Sequence, residues 1–407
     1  MPRLLVDVGP LRAHRDFRLL YTGQVISLLG SNLTVVAVPY QVYRDTHSSL
    51  WVGLASLLQL PFLICGSLWG GAMGDRRDKR TLMMLSAVVL GLASAGLAVN
   101  ASVDHRHLVV LLMLAAFAAG FAGFAGPLRT AAIPTLVGPD ELVAAYSLNQ
   151  VAVNSAVVVG PALAGVLIAS VGLFSCYALD AATFLVVVLM TSFMAPMEPG
   201  AEHTGIAILR AIGDGFRYVR GHAVAQAVYL VDLNAMVFGL PRALFPAVAL
   251  TIYHGGPRTL GLLYAAPGVG ALAMALLTGW VARVRRQGRL VAVAVMAWGA
   301  AMTLFGIVHV VWIGLACLGV AGAMDVISTV LRGTILQSAI TDEFRSRVSS
   351  IQMAVVTGGP RLGDVESGVV ANFTSTEFSI VSGGVACIVG VVALVRWRPA
   401  FWRSRGL

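Results

Sequence analysis

Two charge-free runs constrain this chain more than anything else in it. From Leu50 to Ala72, and again from Thr81 to Val99, no residue carries a charge. Between them lies a knot of charge, Gly71-Ala72-Met73-Gly74-Asp75-Arg76-Arg77-Asp78-Lys79-Arg80. A helix needs roughly 20 apolar residues to cross a bilayer, and each run has that length. A soluble fold has little use for a tight charged turn between two such runs. A membrane protein leaves the turn in the cytoplasm and sends both flanking helices through the lipid. Composition agrees, with 58% hydrophobic and 12% charged residues, against about a quarter charged in ordinary soluble domains. The expected class is all-α integral membrane; a β-barrel would show short alternating segments instead.

In chain order, membrane spans are predicted over residues 17–43, 50–73, 81–100, 107–128, 142–170, 173–194, 223–251, 260–282, 290–308, 311–333, 348–372 and 378–395. These are twelve transmembrane helices in two groups of six. Between the groups the pattern breaks at Pro196, Pro199 and Gly200. Ile208, Ala211, Ile212, Phe216 and Val219 then recur at helical spacing among Arg210, Asp214, Arg217 and Arg220, which predicts an amphipathic surface helix over 205–220. Residues 1–194 are thus expected to form an N-terminal six-helix bundle, 195–222 a cytoplasmic linker, and 223–407 a C-terminal bundle. A basic turn with Arg283, Arg285, Arg286 and Arg289 stands where the first half has its Asp-Arg turn, so the chain reads as an internal repeat.

The net charge is +9. In a soluble protein that would suggest nucleic acid, but no groove-reading motif accompanies it. Here the expected outer loops hold Arg44, Arg106 and Arg258, while nearly all other bases fall in inner loops and tails. That asymmetry places both termini in the cytoplasm. Residues 1–17 are basic without a long apolar core, so the first span is expected to be its own insertion signal. Cys65, Cys176, Cys317 and Cys387 lie in apolar runs without CxxC spacing and predict neither a disulfide framework nor a metal site. The chain has no GxxxxGK[ST], HExxH or GxSxG motif. No enzyme activity, catalytic residue or cofactor is expected, and an ion gradient is left as the energy source.

Polar residues inside spans are costly and usually face a cavity or a partner helix. The uncharged set is Gln24, Asn32, Thr34, Gln59, Asn149, Gln150, Asn154, Asn234 and Tyr264; the charged set is Asp180, Asp232, Arg242, Asp325, Arg361, Asp364 and Glu366. Of these, Gln24, Asn32, Gln59, Asn154, Asn234, Tyr264, Arg242 and Arg361 are substrate-cavity candidates. Arg361 and Asp364 are three apart and share a helix face. A carboxylate alone in an apolar site holds a proton, and a nearby Arg makes it give the proton up. Alternation between those environments is what proton coupling needs. The candidates are Asp364 first, then Glu366 and Asp325; a static charge pair is the other reading. Gly160-Pro161 in the fifth span bends the helix and is the expected hinge, while Ala164-Gly165 permits close helix packing, with packing alone as the other reading.

The spacing Gly71-x-x-x-Asp75-Arg76-x-x-Lys79-Arg80 resembles the loop between helices 2 and 3 of the major facilitator superfamily. The resemblance implies that Asp75, with Gly71, Arg76 and Arg80, latches one conformation by pairing with bases and with a neighbouring helix end. The second-half turn has no Asp, so any latch is asymmetric. Gly160-Pro161-Ala-Leu-Ala164-Gly165 is similar to the core of the helix 5 signature of drug–proton antiporters in that superfamily, though the upstream glycines are absent. The segment Leu11–Gly30, then Val38-Pro39, Gly53, Ala132-Ile-Pro134, Phe245-Pro246, Leu263-Tyr-Ala-Ala266 and Gly363-Asp364 resemble its siderophore-export and macrolide-efflux branch. The resemblance implies a secondary exporter of an amphiphilic small molecule in the bacterial inner membrane. It would work by alternating access coupled to inward proton flow. A siderophore is the favoured cargo, a multidrug or macrolide pump the alternative, and a non-transporting sensor or a lipid flippase the rival from another class. In that fold helices 7 and 11 border a central cavity, where Arg242 and Asp364 could pair. Anionic siderophores would favour Arg242 and Arg361; lipophilic cations would favour Asp325 and Asp364. The expected partners are the small-molecule cargo and the bilayer, with no nucleic acid, and the expected state is a monomer.

Overall fold

The computed structural model describes residues 7–103, 107–197, 217, 219–277, 279, 284, 286–339 and 345–402. Among them all regular structure is helical, and twelve long helices dominate: α1 (Arg15–Thr46), α2 (Ser49–Gly74), α3 (Lys79–Ser102), α4 (Leu108–Leu136), α5 (Leu142–Ser170), α6 (Leu173–Ser192), α7 (Ala223–Ile252), α8 (Gly256–Leu277), α9 (Gln287–Ile307), α10 (Val311–Ala339), α11 (Arg345–Phe373) and α12 (Thr376–Trp397). Eleven are long and apolar enough to cross a membrane. The twelfth, α11, is 29 residues long and carries Arg361, Asp364 and Glu366 in its middle, which is what makes it polar. The fold class is the expected one. The expected surface helix over 205–220 lies almost wholly outside the described residues, as do Arg283 and Arg285 of the basic turn.

The chain divides into two compact units, Met1–Asp45 with Leu58–Gly205, and Thr46–Leu57 with Ile206–Leu407. The first turns of α2 thus group with the second unit, a division that hydropathy cannot reveal. Side chains such as Leu92, Leu185 and Leu276 are exposed on the outer faces, as lipid-facing positions are. With lipid outside, helices gain little from hydrophobic burial and associate through close packing at small residues.

Those small residues repeat between the units. In the first, Gly160 of α5 presses on Asn32 of α1, Gly66 and Gly70 of α2 press on Gly120 and Phe124 of α4, and Gly91 of α3 meets Phe184 of α6. In the second, Gly363 of α11 presses on Met236 of α7, Gly270 of α8 on Gly319 of α10, and Gly299 of α9 on Gly384 of α12. Each pair is the first-unit pair six helices on, so the internal repeat is built into helix contacts.

Three departures from the predicted spans bear on the site. α4 runs on past residue 128, through Pro134, to Leu136, and the Val137 N–H still bonds the Ile133 carbonyl at 3.2 Å. Arg129 therefore lies inside a helix. α10 continues to Ala339, so Arg332 is well inside it. α7 is not continuous: it stops at Phe238, restarts as a 3₁₀ turn Arg242–Leu244, and ends in a π-helical turn Val248–Ile252. Gly239 and Pro241 supply the reason, since a proline has no N–H to continue the ladder and clashes with the preceding turn.

Candidate functional site

A break in a membrane helix frees backbone groups that lipid cannot satisfy. The α7 break is satisfied by three side chains of the second unit. The Gly239 carbonyl accepts from the Trp298 indole N–H at 2.7 Å. The Arg242 carbonyl accepts from the Tyr264 hydroxyl at 3.3 Å, and that ring stands edge-on to Phe245 at 5.1 Å. On the restart side, the Ala243 N–H donates to Asp364 Oδ1 at 3.1 Å. Asp364 thus sits at the N-terminus of the restarted helix, where free N–H groups favour an acid.

The other oxygen of Asp364 is also occupied. The Ser56 hydroxyl donates to Oδ2 at 2.6 Å. Ser56 arrives because α2 crosses α11 at two glycines: a Cβ on Gly368 would lie 2.7 Å from the Ser49 oxygen, and Gly53 packs as tightly against the Asp364 backbone. Asp364 is buried, and both of its oxygens accept only from neutral donors. It forms no ion pair with Arg242 or Arg361 among the described residues. The Arg242 side chain is exposed, and Arg361 Nη1 donates to the Thr357 carbonyl of its own helix at 2.8 Å. The expected Arg242–Asp364 pair is therefore replaced by a backbone contact one residue along. Glu366 is half-buried on the same helix.

The remaining charges of the second unit form a separate cluster. Arg332 of α10 makes an ion pair with Asp232 of α7, both nearly inaccessible. The Gln352 amide donates to the other Asp232 oxygen at 3.2 Å. Arg332 Nη2 donates to the Thr329 hydroxyl at 3.0 Å and lies 3.8 Å from Asp325. Arg332 was missing from the sequence reading because it stood one residue from the predicted end of its helix. The signal was present: Asp325, Thr329 and Arg332 fall at i, i+4 and i+7, on one helix face. Asn234 lies elsewhere on α7 and ties it to α12, donating to the Cys387 carbonyl at 2.8 Å.

In the first unit the amide candidates mostly bond other protein groups. Gln24 donates to Asn149, Asn32 to the Leu28 carbonyl of its own helix at 2.8 Å, and Gln150 to an exposed Asn154 at 3.0 Å. Gln59 is half-buried and bonds nothing among the described residues. Asp180 is the buried acid here: Oδ2 accepts from Thr34 and Ser94, each at 2.7 Å, while Oδ1 faces Gly30 without a hydrogen-bond partner. α5 is one helix through Gly160-Pro161, with Gly160 serving close approach to α1. At the charged knot, Gly71 faces open space and Asp75 makes no ion pair among the described residues. Asp78 is the engaged acid. It caps α3 by accepting from the Arg80 and Thr81 N–H groups, and it accepts from the Met197 N–H at 2.8 Å. Burial pushes its carboxyl up, but the bonds from Thr81, Met197 and Arg80 outweigh that and hold it below the usual range. Arg80 donates to the Thr191 and Ser192 carbonyls at 3.1 and 2.6 Å, covering the end of α6.

Comparison with known proteins adds what geometry alone does not. The sequence profile of a family described as transmembrane secretion effector matches residues 7–405. The enterobactin exporter EntS of Citrobacter koseri is 30% identical over 96% of this chain and 94% of its own length. The enterobactin exporter EntS of Salmonella typhimurium is likewise 30% identical, with the same coverage. Among solved structures, a bacterial homologue of the human lysosomal transporter Spinster superposes with a TM-score of 0.72, at 14% identity and 97% coverage of both chains. A POT family transporter in complex with 5-aminolevulinic acid gives a TM-score of 0.75 at 10% identity, covering 95% of this chain and 97% of its own. At such identities the two structures carry the fold alone.

Proposed function

Since the chain belongs to the transmembrane secretion effector family of the major facilitator superfamily, we propose that it exports a siderophore-type amphiphile by alternating access, coupled to inward proton flow. The chain is a multi-pass inner-membrane transporter of the secondary exporter type, and not an enzyme. The cargo, the coupling ion and the cytoplasmic position of both termini belong to the proposal. The observation that carries it is similarity to enterobactin exporters over 96% of the chain, in which no half of the transporter is left unmatched.

The proton-coupling part is supported by Asp364. It is a buried acid at the restart of a broken span, held only by neutral donors. Broken spans are where membrane transporters place ion and cargo sites. An acid so placed gives up or takes a proton according to what approaches it. The cargo part is supported by Arg361 and the exposed Arg242, neither of which is paired with an acid among the described residues, as an anionic catecholate or carboxylate would require.

The test uses everted membrane vesicles holding the chain, with an inward-acid gradient imposed. Accumulation of an iron-free catecholate siderophore is compared with that of a macrolide and a lipophilic cation. The proposal expects siderophore accumulation that collapses with a protonophore and is lost in Asp364→Asn. Accumulation of the macrolide alone would replace the cargo. Accumulation insensitive to the protonophore would remove the coupling.

A further inference from the structure

The cluster around Arg332 holds an imbalance of charge. Two carboxylates, Asp232 and Asp325, face one guanidinium inside the second unit. α10 carries no other charged residue. Among the described side chains, those on neighbouring elements do not restore the balance: Gln352 of α11 is neutral, and Arg242 acts on Asp325 only from a distance, without an ion pair. Tyr229, on α7 near Asp232, brings no positive charge. On α9, Arg289 lies over Trp402, and on α12 Glu377 and Arg396 stand at the helix ends.

The two acids are unequally held. Asp232 is 3% exposed at its side chain and receives both Arg332 and Gln352. Asp325 is 44% exposed and stands 3.8 Å from the same guanidinium. The Thr329 hydroxyl links them, accepting from Arg332 at 3.0 Å and donating to Asp325 at 3.3 Å. A membrane-embedded cluster with a net negative charge is costly, and the smallest correction is one proton.

We propose that Asp232 and Asp325 share Arg332 as their single counter-ion, so that the cluster carries one exchangeable proton. Arg332 is the positioning residue that decides which acid holds it. In the arrangement described here Arg332 is committed to Asp232, and the proton resides on Asp325. A shift of the guanidinium by about 1 Å brings Nη2 from 3.8 Å into hydrogen-bond range of Asp325 and, with Asp232 released, reverses the assignment. The role of this exchange in driving cargo rests on the proton-coupled reading above; the protonation itself does not.

The test reads the proton directly. Infrared difference spectra between acid and alkaline buffer are recorded on the purified full-length chain, where a protonated carboxyl has its own carbonyl band. Asp325→Asn is expected to remove the signal of one carboxyl. Asp232→Asn is expected to remove it as well, because Arg332 then serves Asp325 alone and keeps it ionised. Arg332→Gln is expected to add a second protonated carboxyl, and Arg332→Lys to leave the spectrum unchanged. A purely structural ion pair would leave the Asp325 band in place when Asp232 is changed. That result, or an Asp325→Asn spectrum identical to the native one, overturns the proposal. Asp325 is half-exposed, so its variant keeps the measurement decisive if changes at Arg332 fail to fold. A second arm follows an iron-free triscatecholate in everted vesicles. Native chain that shows the band but accumulates none under a pH gradient refutes the coupled-export reading and leaves the shared proton standing.

Discussion

Replacing Gly322 with Ala tests the helix-packing account at its tightest crossing. A Cβ on Gly322 would lie 2.7 Å from the Pro267 carbonyl carbon and 2.8 Å from its Cα, with the carbonyl oxygen closer still. These are backbone atoms of α8 and cannot swing aside. To bring the carbonyl carbon alone back to a normal van der Waals distance, α8 and α10 must part by about 0.7 Å, and the oxygen demands more. Parting two helices along a crossing of small residues loses their dispersion contact, and overpacking of this kind costs about 1–3 kcal/mol. At the upper end, with the unfolding entropy scaling with the 407-residue chain, the thermal midpoint should fall by roughly 3–4 °C. The assay is thermal unfolding in detergent, followed by size-exclusion chromatography. Gly319→Ala is the internal control. It sits one turn away on the same helix, where a Cβ would meet only the Ala266 oxygen at an ordinary 3.8 Å. A Gly322→Ala midpoint within a degree of native, or a Gly319→Ala loss as large, would refute the reasoning.

Two other acids give separate predictions. Asp78→Ala should cost about 0.5–2 kcal/mol through loss of the α3 cap, seen as faster hydrogen exchange at Arg80 and Thr81, with Asp78→Asn close to native. Because the folded Asp78 carboxyl is held below its ordinary value, its contribution is present above the unfolded carboxylate range and is lost as pH falls through the folded value. Corrected for the intrinsic slowing of exchange in acid, the protection of the same amides should therefore hold in mildly acid buffer and fall only in strongly acid buffer, below the unfolded carboxylate range. Asp180→Asn keeps an acceptor for Thr34 and Ser94 and should change stability by less than about 1 kcal/mol, whereas Asp180→Ala strands both hydroxyls and should cost about 1–3 kcal/mol. Thermal midpoints of the two variants, measured side by side, check that ordering.

The spans and their number were legible because lipid imposes one pattern on every helix that crosses it, whereas the grouping of the first turns of α2 with the second unit was not. The break in α7 was also written in the sequence, as Gly239-Leu-Pro241-Arg242, but the apolar runs up to Phe238 and on from Ala243 kept the hydropathy of one span. What could not be read was pairing. Spacing identifies residues that share a helix face, and so brought Arg361 and Asp364 together, yet each turns to a different neighbour. Ser56 lies 308 positions from Asp364, and no local pattern announces that contact. Arg332 was hidden for a different reason: a base near a predicted cytoplasmic end is explained by topology alone, until the helix is seen to run on. At the charged knot, resemblance drew attention to Asp75, while N-cap geometry gives the hydrogen bonds to Asp78, three residues later. Capping depends on where the helix starts, and boundaries are what hydropathy fixes least well.

The measurement that bears most directly on coupled export is proton movement driven by cargo, with no gradient imposed. The purified chain is placed in liposomes with a pH-sensitive dye in the lumen, and an iron-free catecholate siderophore is added outside at equal pH. Coupled export expects the siderophore to drive protons across the membrane against its own direction of movement, with the signal abolished in Asp364→Asn. Siderophore uptake into the lumen with no change in dye signal would contradict it.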